Sequence, residues 1–266
     1  MLLFPNCKIN LGLHIVRKRD DGFHDLETVF YPLSLRDALE AVTAEEPQFT
    51  TTGLPVQGPA ADNLCLKAYH LLKKDYPQLP VVAMHLHKTI PMGAGLGGGS
   101  SDGSFTLRLL NDKYHLELSQ EQLIAYALQL GSDCPFFIIN KPCIASGRGE
   151  QLTPIELDLS GYSFLLVNPG IHINTGWAFS QITPAPSKSV EAIIGQPIAN
   201  WRDQLQNDFE IPVCKHHPQL AGIKDKLYDA GALYASMSGS GSCFYGIFPK
   251  GQLPETITLP NLIRCF

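Results

Sequence analysis

Apolar and polar residues alternate over 8–16, with Ile9, Leu11, Leu13 and Ile15 on one face and Lys8, Asn10, Gly12 and His14 on the other. That is the period of a β-strand with one buried side. Its polar face either meets solvent or, with Lys8 and Asn10 side by side and Gly12 leaving room, meets something that approaches it. His14 reads as a surface residue. A charged turn over 17–22 ends in Asp21-Gly22 and leads into a second extended run at 23–31, so the chain opens as a hairpin. His24, just behind the turn, is open to two readings, a hydrogen-bonded structural histidine or a ligand contact.

Residues 45–61 are rich in Pro, Gly and Thr and read as short strands and loops. Asp62 then caps a helix running to Lys74, with Leu64, Ala68, Leu71 and Leu72 inward. An extended run at 81–90 precedes a helical one at 101–110, and a further helix starts at Ser119 with the Ser-x-x-Gln122 capping box and stops at Gly131. Asp133 follows at the junction with the apolar run 136–139, as a turn or cap aspartate or as a carboxylate with chemistry to do.

In the second half, a strand at 163–167 and a turn at 168–170 lead to Thr175 and to the aromatic pair Trp177 and Phe179, which serves a core or grips a planar ring. A helix is expected over 218–230, then strands at 233–237 and 243–248 joined by Ser238-Gly239-Ser240-Gly241-Ser242, and a last strand at 261–266. Boundary candidates are 146–149 with Pro154, and a loop at 183–187.

The most unusual stretch is Pro91-Met92-Gly93-Ala94-Gly95-Leu96-Gly97-Gly98-Gly99-Ser100-Ser101, between the extended run and the helix. Ordering each glycine costs about 0.5–1 kcal/mol more than ordering alanine, which an ordinary connector has no need to bear. A glycine loop feeding a helix N-terminus presents bare amides and the positive end of the helix dipole, an arrangement that holds phosphate. Gly93-x-Gly95-x-x-Gly98 satisfies the dinucleotide pattern, but no strand-end carboxylate follows at about 20 residues. No Gly-Lys-Ser/Thr closes a Walker loop, since no lysine lies between Lys88 and Lys113, and the protein-kinase signatures are missing. A second glycine-serine loop at 238–242 is either a plain hairpin or a second cover for the same phosphate chain. Lys88, three residues before Pro91, is by default a surface lysine, yet close enough to stand beside a bound nucleotide.

Composition narrows the ligand. The chain of 266 residues is 44% apolar, enough for one large domain or two lobes. A net charge of -5 and pI near 6.0 leave no basic footprint for nucleic acid, so an anion must be met by local groups. Seven cysteines without Cys-x-x-Cys fit neither a disulfide framework nor a zinc site, and read as reduced core thiols of a cytoplasmic protein. No apolar run approaches the ~18 residues of a membrane span, and residues 1–8 do not read as a signal peptide, so a soluble, unprocessed chain is expected.

Together, the run from Pro5 through Lys8 to Asn10, the glycine stretch 91–101, Leu130-Gly-Ser-Asp133-Cys-Pro135 and Met237-Ser-Gly-Ser-Gly241 resemble the successive signatures of the GHMP kinases. Within that superfamily Gly22-Phe23-His24, Asp62-Asn63-Leu64, Glu150-Gln-Leu-Thr153 and Asn207-Asp208-Phe209 resemble the 4-diphosphocytidyl-2-C-methyl-D-erythritol kinases. The resemblance covers almost the whole chain. It implies an α+β, two-lobe GHMP kinase fold, with an N-terminal ribosomal protein S5 domain 2-like lobe over 1–150 and a C-terminal ferredoxin-like lobe over 151–266. It also implies ATP with Mg2+ as phosphoryl donor and a small-molecule acceptor, with neither nucleic acid nor membrane as partner.

Residue by residue, the resemblance makes Asp133 the catalytic base and Lys8 the catalytic lysine, residues 91–101 the ATP phosphate loop, and Asn63 and Lys88 neighbours of the nucleotide. His24 matches the cytosine-reading histidine, Phe23 and Phe179 the aromatic positions on either side of the ring, and Asn10 and Thr175 substrate-side positions. Phe23 stands where this family often has tyrosine, which keeps the stacking and drops the phenol. A homoserine or mevalonate kinase would share the glycine loop without needing the cytosine positions, and a regulatory nucleotide-binding module would have no need of Asp133 and Lys8.

Overall fold

A computed structural model describes residues 1–185 and 189–265. In chain order the strands are β1 Leu2–Leu3, β2 Asn6–Lys18, β3 His24–Arg36, β4 Ala38–Thr43, β5 Gln48–Gly53, β6 Val82–Lys88, β7 Cys143–Ser146, β8 Gln151–Pro154, β9 Tyr162–Val167, β10 Tyr234–Met237, β11 Phe244–Pro249 and β12 Leu262–Cys265. The helices are α1 Leu64–Asp75, α2 Gly98–Tyr114, α3 Gln120–Leu130, α4 Cys134–Ile139, α5 Thr175–Ser180, α6 Val190–Ile194, α7 Glu210–His216 and α8 Ile223–Asp229. The class is α+β. The chain forms two compact units that exchange segments: Met1–Cys7, Leu35–Met92 and Gly97–Lys141 make the first, and Lys8–Ser34, Gly93–Leu96 and Pro142 onward make the second.

The first unit holds a sheet in the order β1-β4-β6-β5, antiparallel except for the parallel pair β5–β6, with helices α1 to α4 packed on one another. The cap of α1 falls one residue later than expected. Residues Ala60–Asp62 are drawn into a single 3-10 turn, so Asn63 is the extended residue whose side chain accepts from the Cys65 amide at 2.9 Å, while Asp62 pairs with Lys67. Helix α2 begins at Gly98, three residues before the expected 101. Glycine's poor helix propensity hides this start in the sequence. Here close packing selects glycine: a Cβ at Gly98 would stand 2.8 Å from Ile90, and one at Gly103 2.8 Å from Leu64. The capping box on α3 forms as the spacing demands, with both Ser119 and Gln122 engaged.

The second unit carries an antiparallel sheet, β10-β11-β9-β12, and most of the sheet β2-β3-β7-β8. Leu165 and Val167 of β9 and Phe244 and Phe248 of β11 share a core with Phe209, Val213, Ile223 and Leu227. Full burial contributes about 1.5–3 kcal/mol for each large side chain. The expected helix over 218–230 is divided, because Gly222 at φ 79° breaks it into a 3-10 turn, Pro218–Leu220, and α8. Of the loop at 183–187, Pro186 and Ser187 lie outside the described residues, as does Phe266 of the last strand.

Strand β2 departs from the half-exposed expectation. Every residue from Asn6 to Ile15 is buried, so the polar face is as enclosed as the apolar one. Gly12, at φ 64°, is the place of closest approach, and what approaches is the Leu205 side chain, within 2.5 Å of where a Cβ would stand. His14 is a buried residue, not a surface one: its Nδ1 lies 3.3 Å from Asp208, whose other carboxylate oxygen accepts from the Ile15 amide at 2.7 Å. The buried ring thereby gains a partner. All seven cysteines are thiols outside any disulfide, and six are buried, as core thiols should be.

Candidate active site

Lys8 and Asn10 are buried on β2, where an unpartnered ammonium would be costly. The Lys8 Nζ lies 2.7 Å from Asn10 Oδ1 and 3.3 Å from the Gly95 carbonyl, above the Phe30 ring at 4.7 Å from its centroid. Asn10 donates in turn to the Thr28 hydroxyl at 3.1 Å. The Lys8 amide donates to Leu96 O at 3.0 Å, so backbone and side chain both tie this lysine to the glycine segment.

The same segment is fixed by the second glycine-serine loop. The Ser238 hydroxyl donates to Gly95 O at 2.9 Å, and the Cys243 amide to Ala94 O at 3.2 Å. Gly95 has φ 79°, and a Cβ on it would stand 1.9 Å from the Ser238 carbonyl oxygen. Asn207 pins the second loop from behind, donating to Met237 O and Gly239 O at 2.8 Å each.

Past Gly97, the left-handed N-cap residue at φ 70°, α2 opens without any side-chain cap. Its first amides have no acceptor within the helix, which leaves donors for an anion. The first unit has a cavity of about 340 Å³ at this place, and Asn63, Lys88, Met92, Gly99 and Asp102 are in its wall.

Lys88 is not a surface lysine. It is 2% exposed and bonded to two carboxylates, Asp37 at 2.5 Å and Asp102 at 2.8 Å. Burial acts to lower its pKa, but Asp102 and Asp37 outweigh burial and the net shift is upward. Asp37 also accepts from the Thr89 and Ile90 amides at 2.5 and 2.8 Å. Asp102 has one oxygen, Oδ1, with no partner, and burial followed by the Asp37 charge pushes its pKa up to about 8. Neither acid is legible in the sequence as a partner of Lys88: Asp37 lies 51 residues away, and no local pattern ties Asp102 to that lysine.

Asp133 occupies the N-cap position of α4, but its side chain does not cap that helix. Its neighbour is locked onto α2, since the Ser104 hydroxyl lies 2.8 Å from both the Cys134 and Ser100 carbonyls. The plain capping role is set aside by the lack of a side-chain cap on α4.

In the second unit the His24 ring stacks on Phe179, centroids 5.1 Å apart at 20°, and Phe179 meets Phe209 edge-on at 4.9 Å. Burial, then the nearby Lys18 charge, lowers the His24 pKa below its usual value. Phe23 is 54% exposed with the Arg148 guanidinium 4.8 Å above its ring, a contact no spacing announced. Thr175 opens α5, a helix capped by Asn174, and its hydroxyl lies 3.1 Å from Ser240 in the second glycine-serine loop.

Known proteins match the chain in family and in fold. The family described as GHMP kinases N terminal domain matches residues 63–141, and that described as GHMP kinases C terminal matches 189–258. A 4-diphosphocytidyl-2-C-methyl-D-erythritol kinase from Azobacteroides pseudotrichonymphae is 52% identical over 96% of both chains. One of the same name from Bacteroides thetaiotaomicron is 50% identical over 100% of this chain and 98% of its own. A crystal structure of 4-(cytidine 5'-diphospho)-2C-methyl-D-erythritol kinase superposes with a TM-score of 0.81 at 31% identity, covering 100% of this chain and 98% of the other. The Methanococcus jannaschii mevalonate kinase, at 14% identity and a TM-score of 0.72 over 100% and 97% of the two chains, shares the fold.

Proposed function

The chain belongs to the 4-diphosphocytidyl-2-C-methyl-D-erythritol kinase family of GHMP kinases, and from that premise we propose how its residues divide the work. It is a small-molecule kinase that uses ATP to phosphorylate the 2-hydroxyl of 4-diphosphocytidyl-2-C-methyl-D-erythritol, in non-mevalonate isoprenoid precursor biosynthesis. The proposal treats 1–150 as the ATP-binding half, 151–266 as the C-terminal half, and the cytoplasm as the place of work. Among the described residues no helix is long and apolar enough to cross a membrane.

Phosphoryl transfer runs through a loose transition state, in which positioning and charge neutralisation supply most of the catalysis. The glycine segment and first amides of α2 hold the phosphates, and the cavity beside Asn63, Lys88 and Asp102 takes the rest of the nucleotide. Asp133 accepts the proton of the attacking hydroxyl, and Lys8 stabilises the charge on the phosphoryl group in transit. The observation that carries this reading is the Lys8 ammonium held 3.3 Å from Gly95 O, in the glycine segment that runs on into uncapped α2.

Among the described residues no three His, Cys, Asp or Glu side chains form a ready-made metal site. Mg2+ belongs to the proposal as the counter-ion of the ATP phosphates. When bound it would supply charge neutralisation to the phosphates.

On the acceptor side, Asn10 and Thr175 orient the substrate, and Phe23 and Phe179 enclose the cytosine. A base entering there displaces the His24 ring from Phe179 and meets its edge. The neutral imidazole expected from the lowered pKa suits hydrogen bonding to an uncharged base. Single-turnover assays with Asp133→Asn and Lys8→Ala test the catalytic assignment. The expected loss is about 10²–10⁴-fold in the chemical step for Asp133→Asn, with ADP binding retained. Near-normal turnover in either variant would overturn that residue's role.

A further inference from the structure

The buried cluster behind the proposed nucleotide cavity is unbalanced. Lys88 supplies one positive charge, and Asp37 and Asp102 together would supply two negative ones, with side chains 1%, 0% and 5% exposed. Asp37 has both oxygens engaged, one by Lys88 and one by the Thr89 and Ile90 amides. Asp102 has only Oδ2 engaged, by Lys88, while Oδ1 is buried without a partner and its residue stands in the cavity wall.

Helix α1 contributes the Cys65 thiol, itself pushed far up by burial and then by Asp102, so it brings no charge to the cluster. At the cavity wall the other acid is Asp62, exposed and already paired with Lys67. The extra negative charge therefore rests on Asp102, one turn into the helix whose first amides are offered to an anion.

We propose that Asp102 is a positioning residue that enters nucleotide binding as the neutral acid, so that a nucleotide taken up by protein with ionised Asp102 carries a proton in with it. This rests on the reading of the cavity as the nucleotide site. Protonation removes the surplus charge, leaves Lys88 paired with Asp37, and turns the orphaned Asp102 Oδ1 from a charged acceptor without a donor into part of a neutral carboxyl. A phosphorylated ligand in the same cavity favours the uncharged form further, because a nearby like charge disfavours ionisation. Burial, which raises the Asp102 pKa, acts in the same direction as the lack of a partner at Oδ1.

The test is calorimetric titration of the full-length protein with ADP in EDTA, from pH 7 to 9, in pairs of buffers with different ionisation enthalpies. Wild-type protein is expected to take up a fraction of a proton per ADP that grows as pH rises from 7 to 9, with affinity falling over the same range by up to about tenfold per pH unit. Asp102→Asn, which keeps shape and neutrality, is expected to bind ADP without that uptake and with a flatter pH profile. An infrared band of a protonated carboxyl, present in wild type at neutral pH and missing in D102N, reads the same proton without ligand. ADP binding with no uptake, or with proton release, overturns the inference alone, as does uptake that persists in D102N. Failure of ADP to bind at any pH overturns the nucleotide reading beneath it as well.

Discussion

Gly95→Ala concentrates several demands of the site in one methyl group. The residue sits at φ 79°, where a Cβ meets its own carbonyl, at a cost of about 1–2 kcal/mol. The new Cβ would also fall 1.9 Å from Ser238 O and 2.8 Å from Ser238 C, both backbone atoms that no rotamer change removes. Relieving that overlap requires a backbone shift on the order of 1 Å, and overpacking of this kind costs about 1–3 kcal/mol. The summed loss of stability is about 2–5 kcal/mol.

The same shift disturbs Gly95 O, which accepts from Ser238 at 2.9 Å and from Lys8 at 3.3 Å. Misplacement by 1 Å costs about 10²-fold in rate. Urea denaturation measures the first effect. ADP release at saturating ATP, on protein shown to be folded by circular dichroism, measures the second. A variant within about threefold of wild-type activity, and within about 0.5 kcal/mol in stability, would refute the claim that these two loops are locked at Gly95.

Other substitutions separate the parts. Gly99→Ala places its methyl where nothing lies within 4 Å, inside a helix, and should raise stability by about 0.5–1 kcal/mol. Because Gly99 is in the cavity wall, the same methyl should weaken ADP binding by calorimetry, and an unchanged Kd would remove Gly99 from the site. Phe179→Ala removes the stack on His24 and the edge contact with Phe209, and should raise KM for the cytidine substrate by about 10-fold or more while leaving KM for ATP alone. A matched rise in both constants would assign Phe179 to structure only. The lowered His24 pKa means the ring charges only below the usual 6.5, so CMP affinity should stay level from pH 8 to 6.5 and fall at more acid pH. A fall already complete by pH 6.5 would contradict a neutral reader.

Much of this architecture is legible from local pattern. The β2 alternation, the α3 capping box and the glycine stretch all declare themselves, because each depends on residues a few positions apart. What stays hidden depends on partners far away in sequence. Alternation distinguishes two faces of β2 but cannot say that Asp208 and Ser238 enclose the polar one. Lys88 looks like any lysine until Asp37, 51 residues earlier, meets it. Gly98 stands inside α2 because Ile90 leaves no room there for a Cβ, a contact that outweighs helix propensity and is invisible to it.

The most direct test measures ADP release by the purified protein with ATP and Mg2+, offering 4-diphosphocytidyl-2-C-methyl-D-erythritol, mevalonate and homoserine in parallel. The account predicts turnover with the cytidine substrate alone, phosphorylated at its 2-hydroxyl, and competition by CMP. Turnover with mevalonate or homoserine but not the cytidine compound would contradict it.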